Sequence, residues 1–88
     1  MTMRTLSLFN KEKKLMHSIP AVAGLTSLFK LAKEHEGYAA LGHEKRVGCF
    51  EFAWDVTFFH NGKIVSRIDN VDGLDVNNAI MREISKLP

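Results

Sequence analysis

Eighty-eight residues leave room for one hydrophobic core, so residues 1–88 are read as a single domain. One cysteine excludes an internal disulfide, and no apolar run approaches the ~18 residues of a membrane-spanning helix, which excludes a stapled secreted scaffold and a helical membrane protein. The net charge of +2 is unevenly spread: residues 1–46 carry eight Lys/Arg against four Asp/Glu, and residues 47–88 carry four against six.

In chain order, residues 1–17 read as an arm or edge strand. The opening Met1–Phe9 is too short in apolar residues for a signal peptide, so a cytoplasmic location is the expectation. Leu6 and Leu8 alternate with Thr5, Ser7 and Phe9, making residues 3–9 a candidate third strand, and 10–14 is a polar connector or the start of a short helix. The spacing of Ala21, Val22, Leu25, Leu28, Phe29, Leu31 and Ala32 predicts a helix over 20–36, with Ser18 as its cap and Pro20 in its first turn. Residues 38–46 read as a connector in which Tyr38, Ala39 and Leu41 could make a helical turn or a short strand.

The central prediction is a long β-hairpin over 47–59 and 63–71 around Asn61-Gly62. Alternation puts Phe50, Phe52, Trp54, Val56 and Phe58 on one face, and Glu51, Asp55 and Phe59 on the other. A three-residue loop, His60-Asn61-Gly62, is preferred to a two-residue one because it pairs Phe58 with Ile64, Trp54 with Ile68 and Asp55 with Arg67. A last helix is predicted over 75–87, with Asp75 as N-cap and Val76, Ile80, Ile84 and Leu87 along its apolar stripe.

These elements predict a small two-layer α+β domain: an antiparallel sheet centred on the hairpin, with two helices (20–36 and 75–87) packed on its aromatic face. The expected core is Val22, Leu25, Leu28, Phe29, Phe50, Phe52, Trp54, Val56, Phe58, Ile64, Ile68, Val76, Ile80 and Ile84. The helix–strands–helix order resembles double-stranded-RNA-binding domains. The last helix opens on Asn77, Asn78 and Ala79 rather than on lysines, so that function is not carried over.

Chemistry is sparsely signalled. His17, His35, His43, His60 and Cys49 lack the close ligand pairs of a structural zinc site. The stretch Asp69–Asp75 fails as a calcium loop: placing Gly73 at its sixth position puts Ile68 and Ala79 where carboxylates belong. Cys49 has basic neighbours in His43, Lys45 and Arg46 but no orienting group. Glu51 and Asp55, two pleat repeats apart on a strand, stand ~13 Å from each other, too far for paired carboxylate catalysis. No metal, cofactor or enzymatic activity is expected.

A non-enzymatic protein-binding module is the leading expectation: a small regulator or inhibitor, with phage-type inhibitors of host machinery among the examples. Its partner would be another protein or a second copy in a homodimer, met by Glu51, Asp55, Phe59, Arg67 and Asp69 on the polar hairpin face. The alternative is a nucleic-acid-binding module using Lys11, Lys13, Lys14, Lys30, Lys33, Lys45 and Arg46. No membrane partner is expected.

Overall fold

The computed structural model describes residues 4–20, 30, 33, 34 and 36–88. Five strands, β1 (Arg4–Phe9), β2 (Leu15–Pro20), β3 (Tyr38–Arg46), β4 (Phe52–His60) and β5 (Lys63–Asp72), form one antiparallel sheet in the order β2-β1-β3-β4-β5. One helix, α1 (Val76–Lys86), follows the last strand.

The expectation of two helices packed on a hairpin-centred sheet is therefore corrected. Pro20, placed in the first turn of a helix, ends β2 instead. An edge strand tolerates proline, because the lost N–H need not serve a ladder. Lys30, Lys33 and Glu34 have helical backbone, while 21–29, 31, 32 and 35 lie outside the described residues, as do the core candidates Val22, Leu25, Leu28 and Phe29.

The sheet is also wider than expected. Residues 38–46, read as a connector, are its middle strand, hydrogen-bonded to β1 on one side and β4 on the other. Ala39, Ala40 and Gly42 have weak strand propensity, which hid β3. In the middle of a sheet, small side chains are what lets large neighbours pack over the backbone. The candidate strand near 3–9 is present as β1, in the interior of the sheet, with Leu6 and Leu8 fully buried.

The hairpin is present, but its first strand begins at Phe52 rather than at 47, and its turn changes. Asn61 (φ 54°) and Gly62 (φ 77°) are both left-handed, making a two-residue turn in which His60 faces Lys63. Phe59 then faces Ile64, but Phe58 faces Ser66, so Val65 is an extra residue on β5. A second bulge follows: Val56 faces Ile68 and Trp54 faces Val71, leaving Asp69 and Asn70 opposite Asp55. The first bulge restores Ile68 to the face of Val56, which a plain two-residue register would have denied it. Ile64 stays on the opposite face and is 66% exposed, which removes it from the core.

Helix α1 covers the Val56 face. Ile80, Ile84 and Leu87 pack with Phe9, Tyr38, Ala40, Val56 and Phe58, and with the partly buried Trp54, Ile68 and Val76. At its far end Lys13 Nζ donates to the carbonyl oxygens of Ser85 and Leu87, and the Tyr38 hydroxyl donates to the Pro88 carbonyl. Tyr38 also stacks on His60, ring centroids 4.3 Å apart and 16° from parallel.

Length decides what this helix leaves bare. Eleven residues at ~1.5 Å each span ~16 Å, whereas the nine residues of β4 at ~3.3 Å run ~30 Å. The helix lies over Phe58 and Val56, reaches Trp54, and stops short of Phe52 and Phe50. Those two were expected in the core; Phe52 is 45% exposed and Phe50 is 95% exposed, in the β3–β4 loop.

Candidate binding cleft

The uncovered end of the aromatic stripe opens into a cleft of about 730 Å³ between the β3–β4 loop and the β5–α1 turn. Trp54 lines its inner end. Phe52 and Phe50 continue outward, Val47 adds to the loop side, and Leu74, 98% exposed, stands on the turn side.

Both walls are tied down by backbone hydrogen bonds. Val47 and Gly48 N–H groups donate to the Glu51 carbonyl at 3.0 and 3.3 Å. The Arg46 guanidinium donates to the Gly48 and Cys49 carbonyls at 3.0 and 2.8 Å, folding the loop back on its own strand. Opposite, the Gly73 N–H donates to the Phe52 carbonyl at 3.3 Å, and Asp72 Oδ1 accepts from the Leu74 N–H at 2.8 Å. Gly73 lies against the indole edge: a Cβ there would sit 3.4 Å from Trp54 Nε1. The turns that carry these apolar groups are thus fixed in backbone, so little backbone ordering remains to be lost on binding.

Three acidic residues, Glu44, Glu51 and Asp72, are among those lining the cleft, and Asp72 stands opposite Ala53 with Oδ1 already accepting from the Leu74 N–H. Glu44 is directly across the ladder from Trp54. Among the described residues the ion pairs are Lys45–Asp55, Arg67–Asp69 and Arg82–Asp75, so none of the three is neutralised by a salt bridge there.

The expected polar contact face is only partly assembled. Asp55, Arg67 and Asp69 do lie together on the sheet face away from α1, but Arg67 stands opposite Thr57 rather than Asp55. It pairs instead with Asp69 at 2.8 Å, which raises the Arg67 pKa. Asp55 accepts the Asn70 N–H at 3.0 Å and meets Lys45 Nζ at 3.1 Å. The Asn70 hydrogen bond first, and then Lys45, hold its carboxyl below the ordinary aspartate value of 3.8. Glu51 is not on this face; it precedes β4 and lines the cleft. Phe59 is half buried at the turn end, facing Ala39 and Ile64, so its surroundings are apolar.

The basic set is dispersed. Lys13 is committed to the helix C-terminus, Lys45 to Asp55 and Arg46 to its own loop. Lys11 and Lys14 belong to the β1–β2 connection, while Lys30 and Lys33 are exposed on the described helical backbone. Cys49 is exposed in the β3–β4 loop. Among the described residues no three His, Cys, Asp or Glu side chains are grouped to hold a metal, and no helix is long and apolar enough to cross a membrane.

Sequence reasoning missed Val47 and Leu74 and mistook Phe50 and Phe52 for core. The available signal was arithmetic: an aromatic stripe from Phe50 to Phe58 is longer than the predicted last helix can cover. No family model, curated protein or solved structure matches this chain.

Proposed function

We propose that this chain is a non-enzymatic protein-binding module, of the kind that regulates or inhibits a partner by occupying it, and that the cleft beyond Trp54 is its contact surface. One observation carries the reading. Phe50, Phe52, Val47 and Leu74 are exposed together, on tied-down turns, at one end of a sheet whose other aromatic residues are covered. Contiguous exposed apolar surface with a charged rim marks an interaction site far more often than scattered single residues do, and rigid aromatic anchors dominate protein interfaces. The polar face with Asp55, Arg67 and Asp69 becomes the secondary candidate, since its charges already satisfy one another.

Nucleic-acid binding has less support. Three of its seven basic residues are engaged within the chain, and the exposed aromatic rings that could stack on bases share their cleft with acidic residues, which repel phosphate.

The test is capture from native lysate, with and without nuclease, by the wild-type chain, by a Phe50→Asp/Leu74→Asp variant and by an Asp55→Lys/Asp69→Lys variant. Protein partners that survive nuclease and are lost only with the first variant support the reading. Capture indifferent to Phe50 and Leu74, or abolished by nuclease, overturns it.

A further inference from the structure

The protein-binding reading says that the cleft is a contact surface; its chemistry goes further. We infer that the cleft takes a cationic, apolar-flanked segment of a partner polypeptide. An arginine or lysine head would lie by Glu44 and Glu51, and adjacent aliphatic side chains would lie on Phe50, Phe52 and Leu74. This inference rests on the proposal above.

Charge complementarity selects the occupant. Three carboxylates flank the cleft, and among the described residues no salt bridge neutralises any of them. Arg46, the closest basic side chain in sequence, keeps its charge but is held against the Gly48 and Cys49 carbonyls and is not among the residues lining the cleft. An anionic segment, a nucleic-acid strand or an acidic membrane surface would meet uncompensated like charge. A purely aliphatic segment would pack on the rings but leave the carboxylates partly desolvated and unpaired, at a cost in free energy. A guanidinium satisfies both features, because it is planar, stacks on aromatic faces and donates hydrogen bonds to carboxylates along its edge.

Trp54 makes the inference measurable, because it is the only tryptophan and it lines the cleft. The full chain is titrated, with indole fluorescence as readout, against an acetylated and amidated octapeptide alternating leucine with arginine. The same octapeptide with glutamate, and with glutamine, in place of arginine serves as comparison. The expected result is a saturable change with the arginine peptide, at least fivefold weaker binding of the glutamine peptide, and no response to the glutamate peptide. Glu44→Gln/Glu51→Gln should weaken arginine-peptide binding by about two- to fivefold for each charge removed. Asp55→Asn/Asp69→Asn, on the opposite face, should leave it unchanged.

Equal binding of all three peptides, no response to any, or weakening only by the opposite-face variant overturns the inference. So does a wild-type dimer in sedimentation that Phe50→Asp dissociates, because a second copy would then fill the cleft. The two ideas fail separately. Lysate capture that needs Phe50 and Leu74 but is indifferent to Glu44→Gln/Glu51→Gln keeps the interaction module and rejects the cationic occupant.

Discussion

The indole of Trp54 lies against the bare backbone of Gly42: a Cβ at Gly42 would stand 3.1 Å from Trp54 Cε3 and 3.1 Å from Thr5 Oγ1. The absent side chain lets the largest ring in the molecule lie down on the sheet, between the covered core and the open cleft. Gly42→Ala must push both neighbours by a few tenths of an ångström. Gly42→Leu must lift the indole away, at roughly 1–3 kcal/mol. Chemical denaturation should report that loss for leucine and a smaller one for alanine, and the emission of Trp54 should shift to the red in the leucine variant.

Phe58 and Phe50 have the same side chain and opposite roles. Phe58 is fully buried beneath α1, so Phe58→Ala should cost about 3–5 kcal/mol. Phe50 touches solvent on nearly every side, so Phe50→Ala should change stability by less than about 0.5 kcal/mol. Denaturation midpoints measured side by side check both values. A large loss for Phe50 would mean that the cleft rim is structural.

The turn makes a sharper prediction. Gly62 is left-handed, and Gly62→Ala places a Cβ where it costs roughly 1–2 kcal/mol. Asn70, left-handed at the second bulge, is already a strained choice for a residue with a side chain. Asn70→Gly should therefore be neutral or stabilising by thermal unfolding, the reverse of the usual effect of glycine in a strand.

Asp55 and Asp75 link the fold to pH. The Asn70 N–H, then Lys45, depresses the Asp55 pKa; the Arg82 guanidinium, then Asn78, depresses that of Asp75. A carboxyl whose folded value lies below its unfolded value stabilises fully above the ordinary value of 3.8, and that contribution is lost as pH falls through the depressed value. Urea midpoints should therefore fall on acidification below about pH 4, and the decline should be shallower in Asp55→Asn. An identical decline in the variant would show that the titrating group lies elsewhere.

Much of this architecture was readable where local pattern and burial agree. Val76, Ile80, Ile84 and Leu87 repeat along a helix and lie on the sheet, and Asn61-Gly62 turns the hairpin. Asp75 occupies the N-cap position but spends its carboxylate on Arg82 rather than on a backbone N–H. A short strand at Tyr38, Ala39 and Leu41 is one of two readings, and nothing local chooses it or shows its length, because Ala39, Ala40 and Gly42 favour no strand; they matter for what they leave room for. Pro20 misled because proline suits both a helix start and an outer strand. The hairpin register misled for a different reason. Two candidate loops were weighed as rigid shifts of one strand past the other, whereas β5 absorbs an extra residue twice, at Val65 and at Asn70. Of the candidate site, alternation from residue 47 gives Glu51 the wrong neighbours, because the chain still loops there and the strand begins only at Phe52.

Those two extra residues also govern how the molecule behaves in a crowd. Strand β5 is an outer margin of the sheet and exposes Ile64 and Val65, the kind of margin along which chains can add to one another indefinitely. Interruptions at Val65 and Asn70 break its row of donors and acceptors into short runs and sharpen the local twist. A straight incoming strand would match only a few residues before losing step, so the irregularity that aligns Ile68 with Val56 also disfavours strand addition along this margin.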